Sequence, residues 1–80
     1  MSATIKKPKN IIGDRVKQAR LDNNPKVKQT DLLARLAVRG IQLNETAISK
    51  IEAKTRPVTD IELVAIAESL DVSINWLLGL

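Results

Sequence analysis

The stretch Asn44-Glu45-Thr46-Ala47-Ile48-Ser49-Lys50-Ile51-Glu52 decides how this chain is read. Wound as a helix, at about 100° per residue, it divides into two sides. Ala47, Ile48 and Ile51 fall on one. Glu45, Thr46, Ser49, Lys50 and Ala53 fall on the other, with no large apolar group among them. One side can bury and the other presents short polar groups and one lysine. Asn44 suits the N-cap, because its side-chain oxygen can take an orphan backbone N–H. A short helix of this kind can enter a major groove. Taken alone, the stretch also fits an ordinary amphipathic surface helix, so the rest of the chain has to decide.

Working outward, four more helices are predicted. A first runs over about 11–21 behind Asn10, with Ile12, Val16 and Ala19 or Arg20 at helical spacing. Gly13 weakens it by up to ~1 kcal/mol, so packing must hold it. Asp22-Asn23-Asn24-Pro25 stops it. A second covers about 29–39, with Leu32, Leu33, Leu36 and Ala37 as its apolar stripe and Gly40 as its left-handed end. Ile41 and Leu43 alternate with Gln42 in the connector, which should tuck apolar groups under the domain. A fourth helix starts at a capping box, Thr59-Asp60-Ile61-Glu62, and buries Leu63, Ile66, Ala67 and Leu70. A short fifth follows Ser73, with Ile74, Leu77 and Leu78 apolar and Gly79 ending it. Residues 1–9 show no periodicity and read as a flexible basic arm. Residues 10–80 read as one compact, all-α bundle of five helices.

Composition narrows the function. Eighty residues form one small domain, which buries only about 60–65% of its unfolded surface. There is no cysteine and no histidine, which removes disulfides, thiolate zinc sites and His-based catalysis. Ser, Lys, Asp and Glu are present, but no nucleophile–base constellation and no Gly-rich phosphate loop appears, so no catalytic residues, metal or cofactor are expected. The chain is read as not an enzyme. No apolar run approaches the ~20 residues of a membrane helix, and no apolar signal block opens the chain, so a cytoplasmic protein is expected. The net charge of +4 is unevenly spread. All thirteen bases lie between Lys6 and Arg56, a span of net +8, while the four charged residues after Pro57 are all acids. Such asymmetry suggests a polyanion-binding part and a packing or assembly part.

The order of these parts resembles the phage-repressor-like helix-turn-helix domains of the Cro/Xre type. The resemblance runs from Ile12 to Gly79. It rests on I-G-D-R-V-K-Q-A-R at 12–20, Gln29 with Leu32, T-A-I-S-K-I-E at 46–52, V-T-D-I-E-L-V-A-I-A-E-S-L-D-V at 58–72 and the closing S-I-N-W-L-L-G. It implies a lambda-repressor-like fold and sequence-specific binding of double-stranded DNA by a transcriptional regulator, with a recognition helix at 45–53 in the major groove. Glu45, Thr46, Ser49 and Lys50 would then face base edges. Lys54, Thr55 and Arg56 would touch the DNA backbone, joined by Lys28, Gln29 and Asn44 at the starts of the two helices. Gln29 would also brace the third helix. Arg20 and Glu52 match an internal ion pair of the family. A homodimer on half-sites about one helical turn apart is expected of such domains.

The residue chemistry agrees in part. Lys50 can donate to guanine O6 and N7, and Thr46 can meet a thymine methyl. Glu45 can accept from cytosine N4 or merely suit the helix N-terminus. Three features depart from the family pattern: Lys28 in place of a hydroxyl cap, Leu33 in place of a small residue, and a longer link from Leu36 to Ile48. Ile74, Trp76, Leu77, Leu78 and Leu80 are more apolar surface than a thin core can hide. Trp76 with Leu80 is therefore a candidate dimer contact, the alternative being Trp76 packed on the fourth helix. An antitoxin-like or other protein-interaction module on the same fold would use the same core without needing the basic footprint.

Overall fold

The computed structural model describes residues 7–80, and within them the five expected segments are helical: α1 Gly13–Asp22, α2 Gln29–Val38, α3 Glu45–Glu52, α4 Asp60–Leu70 and α5 Ile74–Leu78. No strand occurs among the described residues, and no helix is long and apolar enough to cross a membrane. α2 packs on α3 and α4, and α1 lies against α3, α4 and α5. Residues 1–6 of the basic arm lie outside the described residues. Lys9, its last residue, donates its backbone N–H to the Lys54 carbonyl at 2.8 Å.

The helix ends follow local chemistry. Thr59 Oγ1 accepts the Glu62 N–H at 3.1 Å, and Glu62 returns the bond to the Thr59 N–H at 3.0 Å. Asn44 Oδ1 takes the Ala47 N–H at 2.8 Å, and Ser73 Oγ takes that of Trp76 at 3.0 Å. Two side-chain oxygens thus open α3 and α5 by satisfying donors that have no intrahelical partner. α2 lacks such a cap, since the Lys28 ammonium has no acceptor, but Asp31 accepts the Lys28 N–H at 3.0 Å. At its far end Gly40 has φ +82°, with Gly40 N–H on Ala37 O and Ile41 N–H on Leu36 O, both at 3.0 Å. This paired ending needs a left-handed residue, which glycine supplies without a Cβ penalty. The long link from Leu36 to Ile48 implied an extended second helix and a longer turn; α2 ends at Val38, and the connector 39–44 carries the length, with Ile41 and Leu43 packed against the core as expected.

α1 starts two residues later than its periodicity suggests. Asn10 Oδ1 still serves that end, accepting the N–H groups of Ile12 at 3.0 Å and Gly13 at 2.9 Å. Its amide nitrogen donates to Ile51 O at 3.1 Å and Arg56 O at 2.8 Å, so Asn10 clips the start of α1 to the end of α3. Gly13 makes the approach possible. A Cβ there would overlap the Ile51 carbonyl oxygen and sit 2.8 Å from Glu52 O. The weak helix former is what lets two helix ends meet.

The core joins all five helices: Ile12, Val16 and Ala19; Leu32 and Leu36; Ile48 and Ile51; Ala65, Ile66, Ala67 and Leu70; and Leu77. Leu33 and Leu63 are half-buried at its edge. Two details differ from the sequence reading. Ala37 is exposed. It lies about 120° round from the Leu32–Leu36 axis, beyond the narrow face that α3 and α4 cover. Val27, in no periodic pattern, is 2% exposed, because its backbone is tied to α1: Val27 N–H donates to Arg20 O at 2.9 Å.

The charge split along the chain is partly undone in space. Glu68 of α4 lies 3.4 Å from Arg39, and Glu62 lies 3.1 Å from Arg56. Half of the acids after Pro57 therefore neutralise bases of the first part.

Candidate nucleic-acid interface

α3 presents the two sides read from its sequence. Ile48 and Ile51 are fully buried and Ala47 is half-buried, while Glu45, Thr46, Ser49 and Lys50 are exposed. The helix ends at Glu52, with Ala53 as its exposed C-cap. Its outer side is held in place from within. Arg20 Nε meets Glu52 Oε2 at 2.6 Å and Arg20 Nη2 meets Glu52 Oε1 at 2.9 Å, a two-point pair with both side chains under 10% exposed. The third guanidinium nitrogen donates to Val27 O at 2.9 Å. Gln29 Nε2 donates to Glu52 Oε1 at 3.3 Å, and Ser49 Oγ donates to Gln29 Oε1 at 3.3 Å.

One hydrogen-bonded line therefore runs from the α1–α2 loop, through the buried pair, to the exposed side of α3. Fully satisfied polar networks of this kind fix geometry more sharply than apolar contacts do. The network uses Gln29 as a brace and ties up the Ser49 hydroxyl. The side chains of Glu45, Thr46 and Lys50 make no hydrogen bond or ion pair among the described residues. Lys28, exposed at the start of α2, has its side chain equally free of an ion partner there.

The loop after α3 is folded back on the helix. Thr55 donates its N–H at 2.9 Å and its hydroxyl at 3.3 Å to Lys50 O, closing the C-terminus of α3. Lys54 adopts a left-handed φ of +64° and its Nζ lies 3.0 Å from Asp14 Oδ2. Arg56 places its two terminal nitrogens on the Glu62 carboxylate, at 3.1 and 3.2 Å. This hydrogen-bonded contact raises the Arg56 pKa and holds the Glu62 carboxyl below the usual carboxylate range against the effect of burial. Both groups stay charged, and each cancels the other. Lys54 and Arg56, expected to touch the DNA backbone, each have an acidic partner in the free chain.

An open concavity of about 360 Å³ lies between α3 and this loop, lined by Asn44, Thr46, Lys50, Thr55 and Arg56 with Ala47 and Pro57. Five of the ten residues singled out for DNA contact thus share one surface. Glu45, Ser49, Lys28, Gln29 and Lys54 lie outside its lining.

Trp76, the candidate dimer contact, is half-buried. The Arg15 guanidinium of α1 stands 5.1 Å from its ring centroid. Leu80 is 86% exposed. Ile61 and Val64, one turn apart on α4, add exposed apolar surface that the capping-box reading did not single out.

The sequence reading also missed Asn10 as a clip, and Asp14 and Glu62 as counter-ions. For Glu62 a signal was present. A carboxylate at the third position of a helix, just after a basic loop, is placed to meet that loop's charge as well as the helix end. The chain matches no family model, no curated protein and no solved structure.

Proposed function

We propose that the chain is a sequence-specific, double-stranded-DNA-binding transcriptional regulator, acting in the cytoplasm, with the lambda-repressor-like helix-turn-helix formed by α2 and α3. The observation that carries this reading is the state of α3. Its C-terminal end is held by the buried Arg20–Glu52 pair, which Gln29 links to Ser49 on the outer side, while Thr46 and Lys50 on that side are free to bond elsewhere. Recognition needs that combination, a rigidly held helix with uncommitted donors. With its side chains an α-helix is about 10–12 Å across, which a major groove about 12 Å wide admits.

Within this reading, Lys50 and Thr46 contact base edges, and Lys28, Gln29, Asn44 and Thr55 contact the backbone. Glu45, exposed in the first turn, either accepts from a cytosine or suits the helix N-terminus. A homodimer, with Trp76 and Leu80 as its candidate contact, would bind half-sites about one helical turn apart. The exposed Ile61, Val64 and Leu80 also favour a second reading, a protein-interaction module on the same fold. Selection of bound duplexes from a random pool decides between them. The DNA reading predicts enrichment of a short motif, repeated about 10 base pairs apart. A pool that stays random after several rounds contradicts it.

A further inference from the structure

Glu62 holds two positions at once. Its Oε1 accepts from the Thr59 N–H at 3.0 Å, which closes the capping box of α4. Both of its oxygens also accept from Arg56. The first task needs an acceptor oxygen and no charge, since glutamine serves the same position in capping boxes. The capping bonds themselves do not require the negative charge, which favours the N-terminus of α4 and is also met by the Arg56 guanidinium. The arrangement recurs two residues earlier, where Asp14 meets Lys54 at 3.0 Å. The loop that borders the concavity beside Lys50 carries two bases and has two acids bound to them.

We infer that Glu62 is a built-in counter-ion that withholds Arg56 from nucleic-acid phosphates and so sharpens discrimination between duplexes. This rests on the DNA-binding reading above. A free base that neutralises a phosphate releases condensed counter-ions, which steepens the fall of log K with log salt by about 0.9 per contact. A base already neutralised by a carboxylate brings no net charge to the duplex and releases nothing. Non-specific binding is almost wholly electrostatic, whereas base contacts are not. Cancelling the charge of the loop therefore weakens binding to random DNA and leaves base reading by α3 intact. Arg56 remains a wall of the concavity that positions the duplex, and the unpaired Lys28 and Lys50 supply attraction. Glu62 is thus a positioning residue for specificity, acting through Arg56.

The test uses the whole chain, a random-sequence duplex of about two helical turns and a salt series from about 50 to about 200 mM. Wild type is compared with Glu62→Gln and with the double variant Arg56→Gln/Glu62→Gln, after thermal melts establish that each is folded. Glu62→Gln keeps the capping box and frees Arg56. It is expected to bind about tenfold tighter at the lowest salt, with a slope steeper by about 0.9. The double variant restores the local net charge and is expected to return to the wild-type slope. A Glu62→Gln slope equal to that of wild type overturns the inference. So does a double variant shallower than wild type by about one unit, because Arg56 would then already be spent on phosphate. Those two results leave the DNA reading standing, whereas absence of wild-type binding at the lowest salt overturns the reading and the inference together.

Discussion

Glu52→Gln tests what holds α3 in place. Both members of the Arg20–Glu52 pair are shielded from water, at 8% and 7% side-chain exposure. The carboxylate accepts from two guanidinium nitrogens and from Gln29. Glutamine keeps one acceptor oxygen but turns an NH₂ group toward the other guanidinium arm, donor against donor. The Arg20 charge would then be buried with only a neutral partner and the Val27 carbonyl. Stranding one member of a buried pair costs ~3–5 kcal/mol, and the bonds that survive favour the lower end of that range. Each kcal/mol shifts the melting temperature of a domain this size by about 4–8 °C, so a drop of about 12 °C or more is expected. Thermal and urea denaturation followed by circular dichroism measure it. The control is Arg20→Met/Glu52→Leu, which removes both charges and should stand closer to wild type than the single variant does. A Glu52→Gln melting temperature within about 3 °C of wild type would refute the reasoning, because it would mean the pair is effectively solvated.

Three other outcomes follow from the same structure. Gly13→Ala gains up to ~1 kcal/mol of helix propensity but drives a methyl into the Ile51 and Glu52 carbonyls, so urea denaturation should show net destabilisation; a stabilised variant would mean that α1 and α3 do not meet so closely. The folded-state pKa of Glu62 is depressed, chiefly by its hydrogen bond from Arg56. Its stabilisation is therefore complete above the unfolded carboxylate value and fades as pH falls through the folded one. Between about pH 5 and about pH 3, Glu62→Gln should lose less stability than wild type, and equal losses in urea midpoint would contradict the assignment. Sedimentation of wild type should show concentration-dependent self-association that Trp76→Ala reduces, and a monomer at every concentration in both would remove the proposed dimer contact.

What the sequence made legible were features decided within a turn or two of chain. The Thr59–Glu62 box, the Asn44 and Ser73 caps and the Gly40 ending depend on neighbours, and each could be read from residue types alone. The two sides of α3 were legible for the same reason, since helical periodicity sorts them without knowledge of what covers them. Gly13 shows where that stops. Its propensity cost was plain, but its cause is the Ile51 carbonyl, brought near only by the packing of α1 on α3. Val27 had no periodic neighbours to mark it, and its burial follows from the bonds Arg20 makes to it. In the candidate site, the bases Lys54 and Arg56 were visible as charge, but their neutralisation was not. Asp14 lies on another helix, and Glu62 was already explained by its cap. A local role that suffices conceals a second, tertiary one.

If the outer side of α3 reads bases, Lys50 is the residue whose loss reveals it. Lys50 is exposed, lines the concavity and has no ion partner among the described residues. Wild type and Lys50→Ala are titrated with a selected duplex and a scrambled one across a salt series. Lys50→Ala is expected to lose roughly 1–3 kcal/mol on the selected duplex and much less on the scrambled one, with relaxed preference at one base position. Equal weakening on both duplexes would contradict it, because Lys50 would then be touching phosphate and α3 would not lie with this side in the groove.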